Sequence, residues 1–582
     1  MKHLQLVITL AWLAGPAALA HAQNVPADAI YFGGAIVTMD DTNPGAEAIA
    51  VKGCKIVAVG KKNAVLKQHQ GSGTKVINLR GKTMLPGFID GHSHFINSLM
   101  VPTQANCYSP PAGPANSIAA IIKALKDLQE QQKIPEGEDK FIMGYGYDPN
   151  GLGGGPELTA ADLDKDFPKN PVIVGHVSLH GAVLNTVALR VCKITADTAT
   201  PEGGVIARNP DGTPAGLLME TAYALIVPYL PQPTDDEMLA RFKAGQEIYA
   251  AAGITTAQEG ATLSHDVELL QKAAEQNLLF IDVVAYPFIR DAEKILENNS
   301  TDTFGKYQNR LKLGGIKITT DGSPQGKTAF FTTPYLTGGP TGERNWYGEP
   351  TFSKELLEKY VRLVYDHKLQ LLIHCNGDAA VDVFLEAHKK AAKDPEADLR
   401  TTVIHSQFVR KDQLVKYVQY KIIPSFYTEH CFYFGKTHRE NRGREQADFL
   451  SPMKTAIGMG IRCANHTDFS VAPIDQLFVV WSAVNRISRE GDVIGPEERI
   501  TPRQALKAIT LDAAYIYREE GSKGSLEVGK LADLVILSEN PLTVKPKAIK
   551  DIRVIETIKE GKTVYSVLKA ISPCEPPMGA GS

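Results

Sequence analysis

Apolar positions along the chain follow two textures. Short Ile- and Val-rich segments broken by turn residues occupy both ends: 29–40 and 48–60, with Asn43, Pro44 and Gly45 between them, then 532–538, 552–558 and 563–567, with Gly529 and Gly561 as turns. That texture predicts hairpin-rich β units. From about Met84 to about Ile516 short apolar runs alternate with longer helical patterns; the runs lie at 172–174, 253–258, 315–319, 370–374, 402–405, 422–425 and 461–465. Continuous runs followed by helices predict parallel strands covered on both faces, and so many in series predict a closed (β/α)8 TIM barrel of the α/β class. The Pro- and Gly-rich stretch 101–155 and the region 195–216 read as insertions above the barrel. The boundaries expected from this pattern are 23–83 and 519–570 for the β parts, 84–518 for the barrel and 571–582 for a disordered tail.

The first residues depart from both textures. Lys2 and His3 precede an apolar run over 4–13, a break at Gly15-Pro16, and the small residues Ala20-His21-Ala22 before Gln23. This is the layout of a secretory signal peptide over 1–22, with a run too short to span a bilayer comfortably. A periplasmic or secreted protein is expected, with no stable membrane insertion. The net charge of -3, with both signs interspersed, offers no basic stripe for nucleic acid, so the expected partner is a small molecule. Export permits disulfides, but the seven cysteines show no CxxC or other zinc-type spacing and read mostly as small core residues.

Candidate chemistry gathers at strand ends. His92 and His94, in Asp90-Gly91-His92-Ser93-His94, are one residue apart at the end of an apolar run, so an extended backbone points both rings to one side. Further along, Lys317, His374, His405 and Asp468 each stand at or just beyond another run. In a parallel barrel those ends converge, and imidazole with carboxylate suits a zinc-like divalent cation. Cys375, the strand neighbour of His374, is expected to face away from them.

These residues resemble the amidohydrolase superfamily, and within it the amidohydrolase-3 or YtcJ-like branch. The resemblance extends to Gly144-Tyr145-Gly146-Tyr147-Asp148, Pro156 with Leu163-Asp164, His180 with Asn185, Gly253-Ile254-Thr255-Thr256 and the closing run from Gly524 to Leu534. It implies that the two β ends join into one small β-sandwich beside the barrel. It also implies that His92 and His94 ligate one metal and His374 and His405 a second, with Lys317 bridging as a carbamate. A protonated lysine has no lone pair to offer a cation, so Lys317 either carries carbon dioxide or remains a charged partner of Asp321 beside a single metal. Asp468 resembles the carboxylate that touches metal and moves protons. His180, Asn185 and Asp321 are the residues expected near substrate, while Asp321 with Asp378 could instead orient ligands or loops.

The function so implied is metal-dependent hydrolysis of a carbon–nitrogen bond, other than a peptide bond, in a small N-acyl, N-formyl or cyclic amide. Zinc is the default, one or two per chain, though manganese, cobalt, nickel or iron would accept these ligands. Esters, lactones or carbamates would meet the same chemistry, and a non-catalytic periplasmic binding protein is the alternative of another class. Helical faces on the outside of a barrel can pair, which leaves a homodimer open.

Overall fold

The computed structural model describes residues 26–567 apart from 153–154, 178–180, 202–203 and 341. The segment 1–22 expected to be a signal peptide, Cys574 and the expected tail 571–582 lie outside the described residues.

Both chain ends meet in one eight-stranded sheet. Its join is the antiparallel pair Thr83–Pro86 and Leu534–Leu537, in register from Leu534 opposite Pro86 to Leu537 opposite Thr83. Both strands are buried throughout, and period-two alternation sends their side chains to two different cores. Met84, Leu534 and Ile536 pack with Ile49, Val51 and Ile56 in the core of the terminal sheet, whereas Leu85, Val535 and Leu537 join the large central core.

The middle of the chain supplies two parallel series. Phe88–Ile89, Ile254–Thr262, Asp282–Pro287 and Leu311–Leu313 pair in parallel, with Tyr307–Gln308 antiparallel at the edge. Gly315–Thr319, Gln370–Cys375, Thr402–His405, Ile423–Phe426 and Ala464–Asn465 form the second series, parallel throughout. Gly314 alone separates Leu311–Leu313 from Gly315–Thr319, and Phe288 bridges in parallel to Lys317. At the opposite junction the Asp468 N–H donates to the His92 carbonyl at 3.2 Å. Helices such as Asp235–Ala251, Lys354–Asp366 and Asp378–Ala391 follow or precede these strands and bury one apolar side each. Thr234 and Glu237 close the start of the first of these with a capping box.

One expectation is corrected. The run at 172–174 does not belong to the parallel series that carries the site; Val172–His176 lies in a separate six-stranded sheet built from 105–220, parallel to Ile142–Tyr147 and antiparallel to Gly181–Leu184. A buried Val-Ile-Val run has the same apolar texture in either sheet, and only its partners distinguish them. The six described cysteines are free, five of them buried, as expected for small core residues. No helix among the described residues is long and apolar enough to cross a membrane.

Candidate metal centre

His92, His94 and Asp468 offer one ligand atom each, all within 4.8 Å of one another. Asp468 Oδ1 stands 3.4 Å from Nε2 of both His92 and His94. That oxygen is buried and has no hydrogen-bond partner among the described residues. An acceptor left bare between two imidazoles suits a divalent cation, which would satisfy all three groups.

The remaining expected ligands adjoin this trio. Lys317 Nζ lies 3.4 Å from His92 Nε2. The His92 ring is 5.5 Å from that of His405, which is 4.6 Å from that of His374. Lys317 points inward because its neighbours Ile316 and Ile318 face the outer core, and by the same alternation Cys375 packs outward with Leu371 and Ile373 while His374 faces the site. His405 breaks this rule. Leu372 and Ile404 both belong to the apolar layer beneath the site, so an extended backbone would send His405 to the other face. Its φ of 71°, followed by 44° at Ser406, turns the ring back, and Asp468 likewise has φ 54°. Positive φ is costly for residues with a β-carbon, so packing must hold these conformations in place.

Around the ligands is a layer of orienting groups. Gln258 Oε1 lies 2.6 Å from His92 Nδ1 and accepts a hydrogen bond from its N–H, leaving the Nε2 lone pair for the site. Gln258 is itself held by bonds from its amide to the Gly91 carbonyl at 3.3 Å and to the Tyr517 hydroxyl at 2.7 Å. Gly260 passes so close that a β-carbon there would stand 2.2 Å from His92 Cε1. Glu259 lies 3.8 Å from His94 Nδ1 and is fixed by the Ile96 N–H at 2.7 Å. His405 Nδ1 meets His466 Nε2 at 3.1 Å, and His466 Nδ1 meets Ser425 Oγ at 2.9 Å. Gln258 and Glu259 escape the sequence pattern, although both sit at or just beyond the end of the apolar run 253–258.

The electrostatics favour a cation. Burial works to raise the Asp468 carboxyl, but the close approach and charge of His94, with His466 and Lys317, outweigh it and hold the group below the usual carboxylate range. Burial likewise opposes protonation of His94, yet Asp468 and Glu259 lift it to about 9. Desolvation brings Lys317 down to about 8 against the pull of Asp468.

Two residues expected near substrate are engaged elsewhere. Asn185, with no exposed surface, accepts from Val172 N and Ala188 N at 2.9 Å each and donates to Phe167 O and Asn170 O at 3.0 and 2.9 Å; it caps the helix Thr186–Val191 and has no polar capacity left. Asp321 accepts N–H bonds from Asn376, Gly377 and Phe330 at 2.9, 2.7 and 3.0 Å and stands 3.4 Å from His374 Nε2. It therefore orients the loop after His374, and no ion pair joins it to Lys317 among the described residues. Asp378 receives Thr332 N and Arg410, again a loop-fixing role. His180 lies outside the described residues.

Side chains that could hold a metal thus gather at the carboxyl ends of parallel strands. The model of the Amidohydrolase family matches residues 75–565, and the chain belongs to that family. Within it the chain resembles the putative amidohydrolase YtcJ of Bacillus subtilis (strain 168), 26% identical over 92% of this chain and 99% of the relative. It is also similar to the N-substituted formamide deformylase of Arthrobacter pascens, 23% identical over 91% and 96% respectively. An uncharacterized metal-dependent hydrolase from Pyrococcus horikoshii OT3 shares the fold with a TM-score of 0.70 at 24% identity, covering 89% of this chain and 99% of that one.

Proposed function

We propose that this chain is an exported hydrolase that uses a divalent cation, zinc by default, to cleave a non-peptide carbon–nitrogen bond in a small molecule. The observation that carries the reading is the bare Asp468 Oδ1 held between His92 Nε2 and His94 Nε2. The formamide deformylase relative favours an N-acyl or N-formyl amide as substrate. Export rests on the character of residues 1–22. With Leu311–Leu313 and Gly315–Thr319 counted as one strand interrupted at Gly314, the two parallel series read best as one (β/α)8 barrel, closed at the Asp468–His92 contact, with the terminal sheet as a β-sandwich-like second domain.

His92 and His94 would hold one cation and His374 and His405 a second, with Lys317 carboxylated between them. Lys317 is 2% exposed and has no carboxylate within ion-pair distance among the described residues, which leaves its Nζ facing His92 and not Asp321. A bound divalent cation supplies Lewis acidity and lowers the pKa of water toward neutrality. Asp468 accepts the proton of the attacking water and returns it to the departing nitrogen. Glu259 and Gln258 keep the two rings in register throughout.

The test is elemental analysis of the mature protein as wild type and Lys317→Ala, with a panel of small N-acyl amides and matched esters run on the same samples. About two metals per chain, falling in the variant together with amide turnover, is the expected result. About one metal, unaffected by the substitution, would refute the bridge and leave a mononuclear site. Absence of bound metal would remove the hydrolase reading.

A further inference from the structure

Beyond the strand Ile423–Phe426 the chain runs Tyr427-Thr428-Glu429-His430 into the short helix His430–Tyr433. Thr428 is fixed by three bonds: N–H to Asn465 Oδ1 at 3.2 Å, Oγ1 from Asn465 Nδ2 at 2.8 Å and carbonyl from Ser482 Oγ at 2.7 Å. The Tyr427 ring lies 5.1 Å from His466 and 6.1 Å from His405, which places this turn against the metal centre. Glu429 follows Thr428 and is completely buried. Both of its carboxyl oxygens, and the Tyr427 hydroxyl, lack a hydrogen-bond partner among the described residues.

No lysine or arginine pairs with Glu429 among the described residues. Burial, with the charges of Asp475, Asp90 and Asp468, pushes its carboxyl well above the usual carboxylate range. Arg489, which lies over the Tyr433 ring, is committed to Asp148 at 3.1 Å. A buried carboxyl without donors destabilises a fold by up to several kcal/mol, and such groups persist where a ligand supplies the missing bonds.

We infer that Glu429 sets substrate specificity by receiving a cationic, N–H-bearing group, an ammonium or guanidinium, carried by the substrate beyond its scissile bond. The inference rests on the hydrolase reading above only for the location of the reacting end. Such a group offers donors to both oxygens, and its positive charge favours the ionised carboxyl, giving charge-assisted bonds.

Calorimetric titration of the metal-loaded protein with methylguanidinium and with methylurea, its neutral counterpart of the same shape, tests this without turnover. The wild type is expected to bind the cation at least about tenfold more tightly, because only the cation forms a charge-assisted pair with Glu429. Glu429→Gln is expected to bring the ratio to about one, with a melting temperature no lower than wild type, since the substitution removes a buried acid. Equal binding of the two probes by wild type, or no measurable binding of the cation, would overturn the inference even if the variant failed to fold. So would an unchanged preference in folded Glu429→Gln. Cation preference in a protein inactive on every amide and ester would uphold Glu429 and remove the hydrolase reading; amide turnover without cation preference would do the reverse.

Discussion

Asp468→Asn separates proton handling from metal holding. The amide keeps an oxygen donor of nearly the same shape 3.4 Å from His92 and His94, but it carries no charge and accepts no proton at neutral pH. His92 remains oriented by Gln258 and His94 by Glu259, so both imidazoles stay in place. If Asp468 takes the proton of water and delivers it to the leaving nitrogen, its loss removes about 10²–10⁴-fold of rate. That corresponds to about 2.7–5.4 kcal/mol of barrier. The assay is kcat on the best amide of the panel at saturating substrate and with excess metal, with metal content measured on the same preparation. The expected outcome is a kcat lowered at least about a hundredfold while most of the metal is retained. A kcat loss below about tenfold, or a loss fully reversed by excess metal, would refute the proton-transfer role and leave Asp468 as a ligand only.

Gln258→Met should weaken metal affinity by about 10–100-fold, because His92 loses the acceptor that fixes its tautomer; competition with a chelator measures it, and unchanged affinity would contradict the orienting role. Asn185→Ala removes four bonds to the backbone, one of them the helix cap, so a destabilisation of about 3 kcal/mol is expected in denaturant unfolding, with kcat/KM unchanged in the folded fraction. A selective loss of activity at full stability would restore Asn185 as a substrate contact. His438, buried and depressed to about 3 by desolvation, stays neutral in the folded chain while the unfolded chain takes up a proton below its ordinary value of about 6.5. The stability it contributes is present above that value and falls with pH toward 3 by about 1.4 kcal/mol per unit. His438→Gln should reduce the slope of unfolding free energy between pH 6.5 and 5 accordingly, and an unaltered slope would exclude the residue as a source of acid sensitivity.

Local pattern determined a large part of this protein. Alternation in extended backbone is a property of two or three adjacent residues, so the shared face of His92 and His94, the inward Lys317 and the outward Cys375 were all legible along the chain. The β texture of both ends was legible for the same reason, but their union through Thr83–Pro86 and Leu534–Leu537 became an expectation only through family resemblance. Tertiary structure decided what depends on groups far apart in sequence. Val172–His176 has a barrel-like apolar run and is assigned elsewhere by its neighbours. His405 and Asp468 reach the site through left-handed backbone that their own sequence disfavours and that surrounding packing imposes. Asn185 and Asp321 are polar residues of the kind that bind substrate, yet their bonds to distant main-chain groups commit them to the scaffold. Whether a buried polar side chain is spent within the fold, as Asn185 is, or left bare, as Glu429 is, depends on which donors the folded chain brings within hydrogen-bond distance, and residue identity alone does not contain that information.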